Sequence, residues 1–262
     1  MTEIHPHAIV SRSARIGARC RIGAYAVVGD EVELGEGCVL HPHAVVHGPS
    51  RFGRENVFHP GCSIGADPQD LKFHGERTLL AAGDRNTFRE CVTVSRGTAH
   101  GGGVTTIGNG NLFMAYSHVA HDCRIGDHTI FANGATLAGH VIVEDHANIG
   151  AFSPVHQFCR IGRHAYVGAC TVVTQDVPPF SLIVTERETK CFGVNTIGLE
   201  RRGFTPERIG AIEQAFRLLL RSKLNTTQAI SEIRTTLNGS ADVQELVEFL
   251  ESSRSSGRGL TK

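Results

Sequence analysis

The chain has 262 residues, enough for one large domain or for one domain with a small appendage. Lys and Arg together number 26, as do Asp and Glu, so no net positive charge indicates a nucleic-acid-binding protein. The N-terminal residues show no signal-peptide pattern, and no apolar stretch reaches the ~18 residues of a membrane-spanning helix. Eight cysteines without a CxxC pair indicate neither metal nor disulfides, and we expect a soluble, cytoplasmic protein.

An apolar residue occurs at every sixth position over most of the chain. The first run comprises Ile4, Val10, Ile16, Ile22, Val28, Leu34, Leu40, Val46, Phe52, Phe58 and Ile64. The pattern returns at Ala82, Phe88 and Val94 and then, shifted by one position, runs from Ile107 to Val173. A repeat of fixed period indicates a solenoid in which each unit packs on the next.

A small residue lies two positions before most of these apolar residues, and glycine often follows them. The small-residue position holds five of the cysteines: Cys20, Cys38, Cys62, Cys123 and Cys159. We interpret them as small buried side chains without a metal-binding role. Glycine after the apolar residue, as at Gly17 and Gly150, suggests a corner with positive φ. Each unit is then one short strand and a turn, and three units close one coil of a triangular, all-β prism with parallel strands.

Two segments interrupt the repeat, at about residues 66–81 and 99–106. Loops inserted into a rigid scaffold often carry function, although Gly101–Gly103 in the second loop favours a flexible spacer.

The repeat ends near Pro178–Pro179, and helical signals follow. Thr205–Pro206 provides an N-cap and a proline at the first helical position, and apolar residues at helical spacing predict three helices. The second is expected over about 227–237 and the third around 243–250. We therefore expect a β-helix over residues 1–190 and a small C-terminal α-helical domain over residues 191–262.

The most informative side chain is His121, which follows the core residue Val119 by two positions and therefore points out of the prism. The adjacent Asp122 can orient this imidazole and keep it basic enough to accept a proton near neutral pH. Further outward residues fall in or beside the same column on the next two coils: Gly139, His140, His156 and Gln157. Such a column on three successive coils predicts one wall of a cleft.

These segments have counterparts in a known enzyme family. The matching sequences are Gln69–Lys72 (QDLK), Ser117–Cys123 (SHVAHDC), Leu137–Val141 (LAGHV), Val155–Phe158 (VHQF), Gln175–Pro179 (QDVPP), Gly193–Asn195 (GVN) and Arg201–Phe204 (RRGF). With the six-residue repeat they resemble the UDP-N-acetylglucosamine O-acyltransferases, a family of hexapeptide-repeat acyltransferases, over essentially the whole chain. The resemblance implies a left-handed parallel β-helix, a homotrimer with sites between adjacent subunits, and no metal or organic cofactor.

The resemblance also implies a reaction. A 3-hydroxyacyl group passes from acyl carrier protein to the glucosamine 3-hydroxyl of UDP-N-acetylglucosamine, which begins lipid A synthesis. His121 matches the general base, Asp122 matches the residue that orients it, and the backbone NH of Gly139 matches the oxyanion donor.

Other positions match the family's substrate contacts. Contacts with the sugar nucleotide are implied for Asp70, Lys72, His118, His140, His156, Gln157, Asn195, Arg201 and Arg202. The side chain that limits acyl length maps to Ala169, whose small size allows a fairly long acyl group. Acyl carrier protein is acidic, so Arg160, Arg163 and Arg217 are candidates for recruiting it.

The chain departs from the family pattern in two places. Ser95 replaces a histidine that is common at that point, and the segment Val184–Cys191 is unlike the usual one. That segment approaches the acyl and nucleotide groups in the family. The acceptor is therefore open between the 3-hydroxyl sugar and its 3-amino analogue.

Three other functions compete with this one. γ-Class carbonic anhydrases share the prism and bind zinc with three histidines, a role open to His118, His121 and His140. However, His118 and His121 are spaced by three, against five in that family, and Val119 between them points inward. The N-acyltransferase of the next acylation carries a uridine-binding domain before its prism, whereas the repeat here starts at Ile4. A non-catalytic scaffold is the last alternative, which His121→Ala would distinguish.

Overall fold

The computed structural model describes residues 1–185, 191 and 193–255. The chain divides into two compact units, Met1–Thr185 and Glu186–Lys262. The first unit is built from β-strands, and the second is α-helical.

The strands of the first unit are short because each covers one side of a triangle. Before the first loop they are β1 (Glu3–Ile4), β2 (Ile9–Val10), β3 (Arg15–Ile16), β4 (Arg21–Ile22), β5 (Val27–Val28), β6 (Val32–Leu34), β7 (Val39–Leu40), β8 (Val45–Val46), β9 (Ser50–Phe52), β10 (Val57–Phe58) and β11 (Ser63–Ala66). Between the loops are β12 (Leu79–Ala82), β13 (Thr87–Phe88) and β14 (Thr93–Ser95). After the second loop are β15 (Val104–Ile107), β16 (Leu112–Phe113), β17 (His118–Val119), β18 (Arg124–Ile125), β19 (Ile130–Phe131), β20 (Thr136–Leu137), β21 (Ile142–Val143), β22 (Asn148–Ile149), β23 (Pro154–Val155), β24 (Arg160–Ile161), β25 (Tyr166–Val167) and β26 (Leu182–Ile183).

The strands form three parallel sheets that make the sides of the prism. The first sheet runs from β1 to β26, the second from β2 to β23 and the third from β3 to β24. Val119 pairs with Leu137 and Leu137 with Val155, each 18 positions later, which is one full coil. The unit is therefore the left-handed parallel β-helix expected from the repeat and the family resemblance.

The interior of the prism is filled by the apolar column of the repeat. A stack of phenylalanine rings, with centroids 5.2, 5.0 and 4.8 Å apart, comprises Phe58, Phe88, Phe113 and Phe131. The cysteines at the small-residue position are buried free thiols, and burial raises the pKa of Cys123 to about 12. Their interpretation as buried side chains is confirmed. Ile4 belongs to the first coil, which has a coil on one side only, and its side chain stays 49% exposed.

A ladder of buried asparagines lies beside the phenylalanine stack. The Asn86 side-chain oxygen accepts hydrogen bonds from the backbone NH and side-chain amide of Asn111, at 3.0 and 2.9 Å. The Asn111 oxygen accepts in turn from the NH and hydroxyl of Thr129, both at 2.7 Å. An unpaired buried amide costs about 1–3 kcal/mol, so these bonds favour the observed register between coils.

The corners of the prism adopt positive φ three positions after the core residue, mostly without glycine. Asp122 has a φ of 61°, His128 of 55° and His140 of 62°. Gly17 and Gly150, which directly follow core residues, lie outside this region, so the expectation of positive φ at these two glycines is wrong. A Cβ on Gly150 would lie 2.5 Å from a backbone nitrogen of the next coil, so glycine is required there for close packing between coils.

Both inserted loops leave the second sheet at the same edge of the prism. The first connects β11 with β12, and the second connects β14 with β15. The strands β11 and β14 are parallel neighbours, and an ion pair between Asp67 and Arg96 joins the two loops. We call this edge the second corner, and on later coils it comprises Asp122, His140 and Phe158.

Within its described residues the second unit contains four helices, α1 (Thr196–Arg201), α2 (Pro206–Arg221), α3 (Thr226–Thr236) and α4 (Ala241–Ser255). Three correspond to the helices predicted from the sequence, and α2 begins after the Thr205 cap as expected. The short helix α1 was not predicted. The shared core of α2, α3 and α4 is formed by Ala215, Leu219, Ala229, Ile230, Ile233, Val243, Val247 and Leu250. None of the described helices is long and apolar enough to span a membrane.

Candidate active site

Three successive coils bring His121, Gly139 and Gln157 into one column at the second corner. The backbone NH of His140 donates to the His121 carbonyl oxygen at 3.0 Å, and the NH of Phe158 donates to the Gly139 carbonyl oxygen at 3.2 Å. These bonds join the corner segments of neighbouring coils, so the column expected from the repeat is present.

His121 and Asp122 form a hydrogen-bonded pair. The Nδ1 atom of His121 lies 2.7 Å from Oδ2 of Asp122, whose side chain has no exposed surface. The second loop holds this carboxylate, because Thr98 donates its NH to Oδ1 at 2.9 Å and its hydroxyl to Oδ2 at 2.6 Å. The Thr105 hydroxyl accepts the Asp122 NH at 2.8 Å. Both ends of the second loop therefore contribute to the position of Asp122.

The charge of Asp122 determines which nitrogen of His121 is basic. Burial would raise the pKa of the Asp122 carboxyl, but hydrogen bonds from Thr98 and His121 outweigh burial and hold the pKa below its ordinary value. An ionised carboxylate only accepts hydrogen bonds, so Nδ1 of His121 carries the proton. The Nε2 atom is then left with a free lone pair, which suits a general base.

Gly139 lies directly against the His121 imidazole. A Cβ at this position would come within 2.7 Å of Cε1 and 2.9 Å of Nε2 of that ring, so only glycine fits without moving the imidazole. Among the described residues, the Gly139 NH has no hydrogen-bond acceptor. The column thus places a free backbone donor beside a basic nitrogen, an arrangement that can stabilise a developing oxyanion.

His140 packs on the other side of Asp122. Its Nε2 lies 3.8 Å from Oδ2 of Asp122, its ring is perpendicular to that of His121, and it stacks on Phe158 with centroids 4.6 Å apart. Burial lowers the pKa of His140, which favours its neutral form.

His118 lies on the outer face of the second sheet, where its Nδ1 is 2.7 Å from the Thr93 hydroxyl. Burial, with a smaller contribution from His121, lowers the pKa of His118. In the described part of the chain, the potential metal-binding group is His121, Asp122 and His140, with ligand atoms within 4.8 Å of one another, and it does not include His118. Within one chain, the described residues therefore do not assemble the three-histidine set of a γ-class carbonic anhydrase, and both Asp122 oxygens already accept hydrogen bonds.

The first loop brings Asp70 to the same corner. The Lys72 NH donates to Oδ1 of Asp70 at 3.0 Å. This bond, followed by attraction to His121 and His100, holds the pKa of the Asp70 carboxyl below its ordinary value. Asp70 is partly buried, whereas the Lys72 side chain is exposed to solvent.

The remaining candidate residues are less enclosed. His156 and Gln157 are exposed, with Nδ1 of His156 lying 3.2 Å from the Gln157 carbonyl oxygen. Ala169 is also exposed on the outside of the prism.

The second unit carries three more candidates, Asn195, Arg201 and Arg202. Asn195 caps α1, Arg201 is its last residue and Arg202 follows, and all three are exposed. Residues 186–190 of the unusual segment lie outside the described residues.

Sequence reasoning missed part of the site. Thr98, which donates to the buried Asp122 carboxylate, and Thr105, which accepts the Asp122 NH, were not identified, although a buried carboxylate needs donors. The spacer interpretation of Gly101–Gly103 is wrong at Gly101, where a Cβ would lie 2.1 Å from the Asp122 carboxylate.

Arg160, one of the three arginines proposed to recruit acyl carrier protein, already contacts an acidic side chain. The Arg160 guanidinium donates to the Glu144 carboxylate. The same carboxylate accepts the backbone NH of Arg163 at 2.9 Å. Arg160 is therefore a partly neutralised cation.

Comparison with known proteins supplies independent information on the family. A family model described as UDP N-acetylglucosamine O-acyltransferase, domain 2, matches residues 176–261. A second model, of bacterial transferase hexapeptide repeats, matches residues 13–48 and 105–139.

Relatives match over nearly the full chain. An acyl-[acyl-carrier-protein]–UDP-N-acetylglucosamine O-acyltransferase of Xylella fastidiosa is 51% identical over 251 residues, covering 96% of this chain and 95% of that protein. The enzyme of the same name from Anaeromyxobacter dehalogenans is 51% identical over 259 residues and 99% of both chains. The crystal structure of UDP-N-acetylglucosamine O-acyltransferase from Moraxella catarrhalis is similar with a TM-score of 0.68, at 37% identity and 99% coverage of both chains.

Proposed function

This chain belongs to the UDP-N-acetylglucosamine O-acyltransferase family, and we propose that it transfers a 3-hydroxyacyl group from acyl carrier protein to the 3-hydroxyl of UDP-N-acetylglucosamine. This reaction begins lipid A synthesis. The observation that carries the proposal for this chain's own residues is the His121–Asp122 pair at 2.7 Å beside the free NH of Gly139.

The first step is the attack of the sugar hydroxyl on the thioester. The Nε2 atom of His121 takes the proton from the 3-hydroxyl as its oxygen bonds to the carbonyl carbon. Asp122 keeps Nδ1 protonated, so the charge on the resulting imidazolium is balanced by a carboxylate 2.7 Å away. A positioned base of this kind contributes roughly 10²–10⁴-fold to the rate.

The second step is collapse of the tetrahedral intermediate. Its oxyanion accepts a hydrogen bond from the Gly139 NH, a type of contact whose removal typically costs about 10²–10³ in rate. The carbon–sulfur bond then breaks, and the leaving thiolate takes the proton held on Nε2 of His121. The enzyme returns to its starting protonation state.

Binding of the sugar nucleotide is proposed for the remaining candidates. Asp70 is ionised and close to His121, which suits a hydrogen bond from a sugar hydroxyl. Neutral His140 and His118 offer ring nitrogens to the same region. Roles for the other residues rest on the family resemblance: Lys72, His156, Gln157, Asn195, Arg201 and Arg202.

Acyl length is proposed to depend on Ala169. The residue is exposed on the outside of the prism, so a longer side chain there would project into space that an acyl chain can occupy. A larger residue would shorten the preferred donor.

We also propose that three copies assemble through the first and second sheets. The outward positions of these sheets hold many apolar residues, including Ile9, Val27, Val45, Val39, Val57, Leu112 and Ile130. Those of the third sheet are mostly charged, including Arg15, Glu33, Arg51, Arg124 and Arg160. This difference between the sides fits a closed trimer that exposes the mostly charged third sheets. The buried free thiols of Cys20, Cys38, Cys62, Cys123 and Cys159 agree with the proposed cytoplasmic location.

The test is acyl transfer by purified protein with 3-hydroxyacyl carrier proteins of several lengths, using UDP-N-acetylglucosamine and its 3-amino analogue as separate acceptors. We expect transfer to the 3-hydroxyl sugar and a fall in kcat of about 10³-fold or more in His121→Ala, because the base is lost. Thermal unfolding of the variant confirms that it is folded. Transfer to the 3-amino analogue alone would identify that analogue as the acceptor in place of the 3-hydroxyl sugar. Full activity of folded His121→Ala would contradict the mechanism.

A further inference from the structure

The inference concerns His100, which lies in the 3₁₀ turn of the second loop. Its Nε2 is 3.2 Å from Oδ2 of Asp70 in the first loop. An ionised carboxylate only accepts, so this close approach is favourable when Nε2 of His100 carries a proton, and it is an ion pair when the ring is charged. The other Asp70 oxygen, Oδ1, already accepts the Lys72 NH. The hydrogen bond from the Lys72 NH and the contact with His100 together restrict rotation of the Asp70 carboxylate.

The same short turn also positions Asp122, the hydrogen-bond partner of His121. Thr98 is the N-cap of the turn, and its hydroxyl accepts the Gly101 NH at 3.1 Å while donating to Asp122. His100 lies two positions later. One turn therefore contacts the carboxylate behind His121 and the Asp70 carboxylate, and fixes the separation between them.

The surroundings of His100 locate it at the rim of the site. Its ring centroid is 6.3 Å from that of His140, and its side chain is 44% exposed, whereas that of Asp70 is 18% exposed. The histidine thus approaches from the solvent side and covers the more enclosed carboxylate.

We propose that His100 is a positioning residue, which holds Asp70 in the orientation that binds the sugar nucleotide. This role rests on the proposed function, because it assigns Asp70 to the acceptor. The residue acts through Asp70 and takes no part in proton transfer, since Asp122 and His121 are fixed by Thr98 independently of the imidazole.

The test compares His100→Ala, which removes the donor, with His100→Gln, whose side-chain amide keeps one. We expect His100→Ala to raise KM for UDP-N-acetylglucosamine about fivefold, the upper end for a partly exposed ion pair, with kcat within about twofold. His100→Gln restores most of the affinity. His146→Ala, at a partly exposed histidine on another corner, is the matched control and leaves both constants unchanged.

A double-variant cycle identifies the partner. In an Asp70→Ala background, His100→Ala is expected to have no further effect on KM, because the group it positions is gone. Dissociation constants from calorimetry with UDP-N-acetylglucosamine alone provide the same comparison without turnover.

The two proposals fail in distinguishable ways. Absence of both binding and transfer in the wild-type protein would contradict the proposed function. Wild-type transfer with unchanged KM in His100→Ala, a loss confined to kcat, or additive effects in the double variant would each overturn the role of His100.

Discussion

The second and third corners of the prism both carry histidines at the same position of the repeat, yet at the second corner a histidine lies beside a buried carboxylate. At the third corner, which follows the third sheet, His128, His146 and His164 stack on one another with centroids 5.2 and 4.7 Å apart. At the second corner, His140 has an equally left-handed backbone but lies 3.8 Å from the buried Asp122 carboxylate. The backbone is the same, and the surroundings differ.

The carboxylates of the two corners show where the difference comes from. At the third corner, Oδ1 of Asp145 accepts the Asp127 NH at 3.0 Å, and Oδ1 of Asp127 accepts the Asn109 NH at 2.6 Å. These side chains join one coil to the next. Asp122 instead binds Thr98 and His121, because the inserted loop covers the second corner. The repeat supplies a rigid platform, and in the proposed function the loop converts one corner into the active site.

The largest effect that separates the corners is expected from Asp122→Asn. Asp122 receives three donors, and an amide has only one oxygen, so its NH2 group would face the Thr98 NH or the His121 imidazole. We expect kcat to fall by about 10²–10³-fold. Steady-state kinetics with saturating acceptor measure it.

Asp145→Asn at the third corner is the matched control. Its oxygen continues to accept the Asp127 NH, so kcat is expected to stay within about twofold, as for ordinary surface changes. Equal losses in the two variants would show that the corners are not functionally distinct.

The smallest effect is expected from His146→Ala. The ring contacts its two stacked neighbours and is partly exposed, so its loss should cost no more than about 1 kcal/mol of unfolding free energy. Both kcat and KM should match those of the wild-type protein. Denaturant unfolding and steady-state kinetics on the same preparation test both statements, and a large kcat loss would assign chemistry to the third corner.

The fold and the central column follow from the sequence because the repeat fixes them. A six-residue period determines which strands pair, and one coil of 18 positions separates Val119 from Leu137, so Gly139 had to lie over His121. The outward orientation of His121 followed from its position two residues after the core residue Val119.

The loop contacts could not be predicted, because no period relates a loop residue to its neighbours. Nothing in the sequence around Thr98 indicates that it binds a carboxylate 24 positions away, or that His100 meets Asp70. The role of Gly150 was also misassigned, since close approach of two coils and positive φ both favour glycine, and only the structure separates them.

The central claim is that the second loop makes the second corner active through its hold on Asp122. The most direct measurement is kcat for acyl transfer by Thr98→Val, which removes the hydroxyl bonded to Asp122 at 2.6 Å and preserves side-chain shape. We predict a fall of about tenfold in kcat with KM for the sugar nucleotide unchanged, the scale of one hydrogen bond to a charged group. A folded variant with wild-type kcat would show that the loop merely covers Asp122, and would contradict the account.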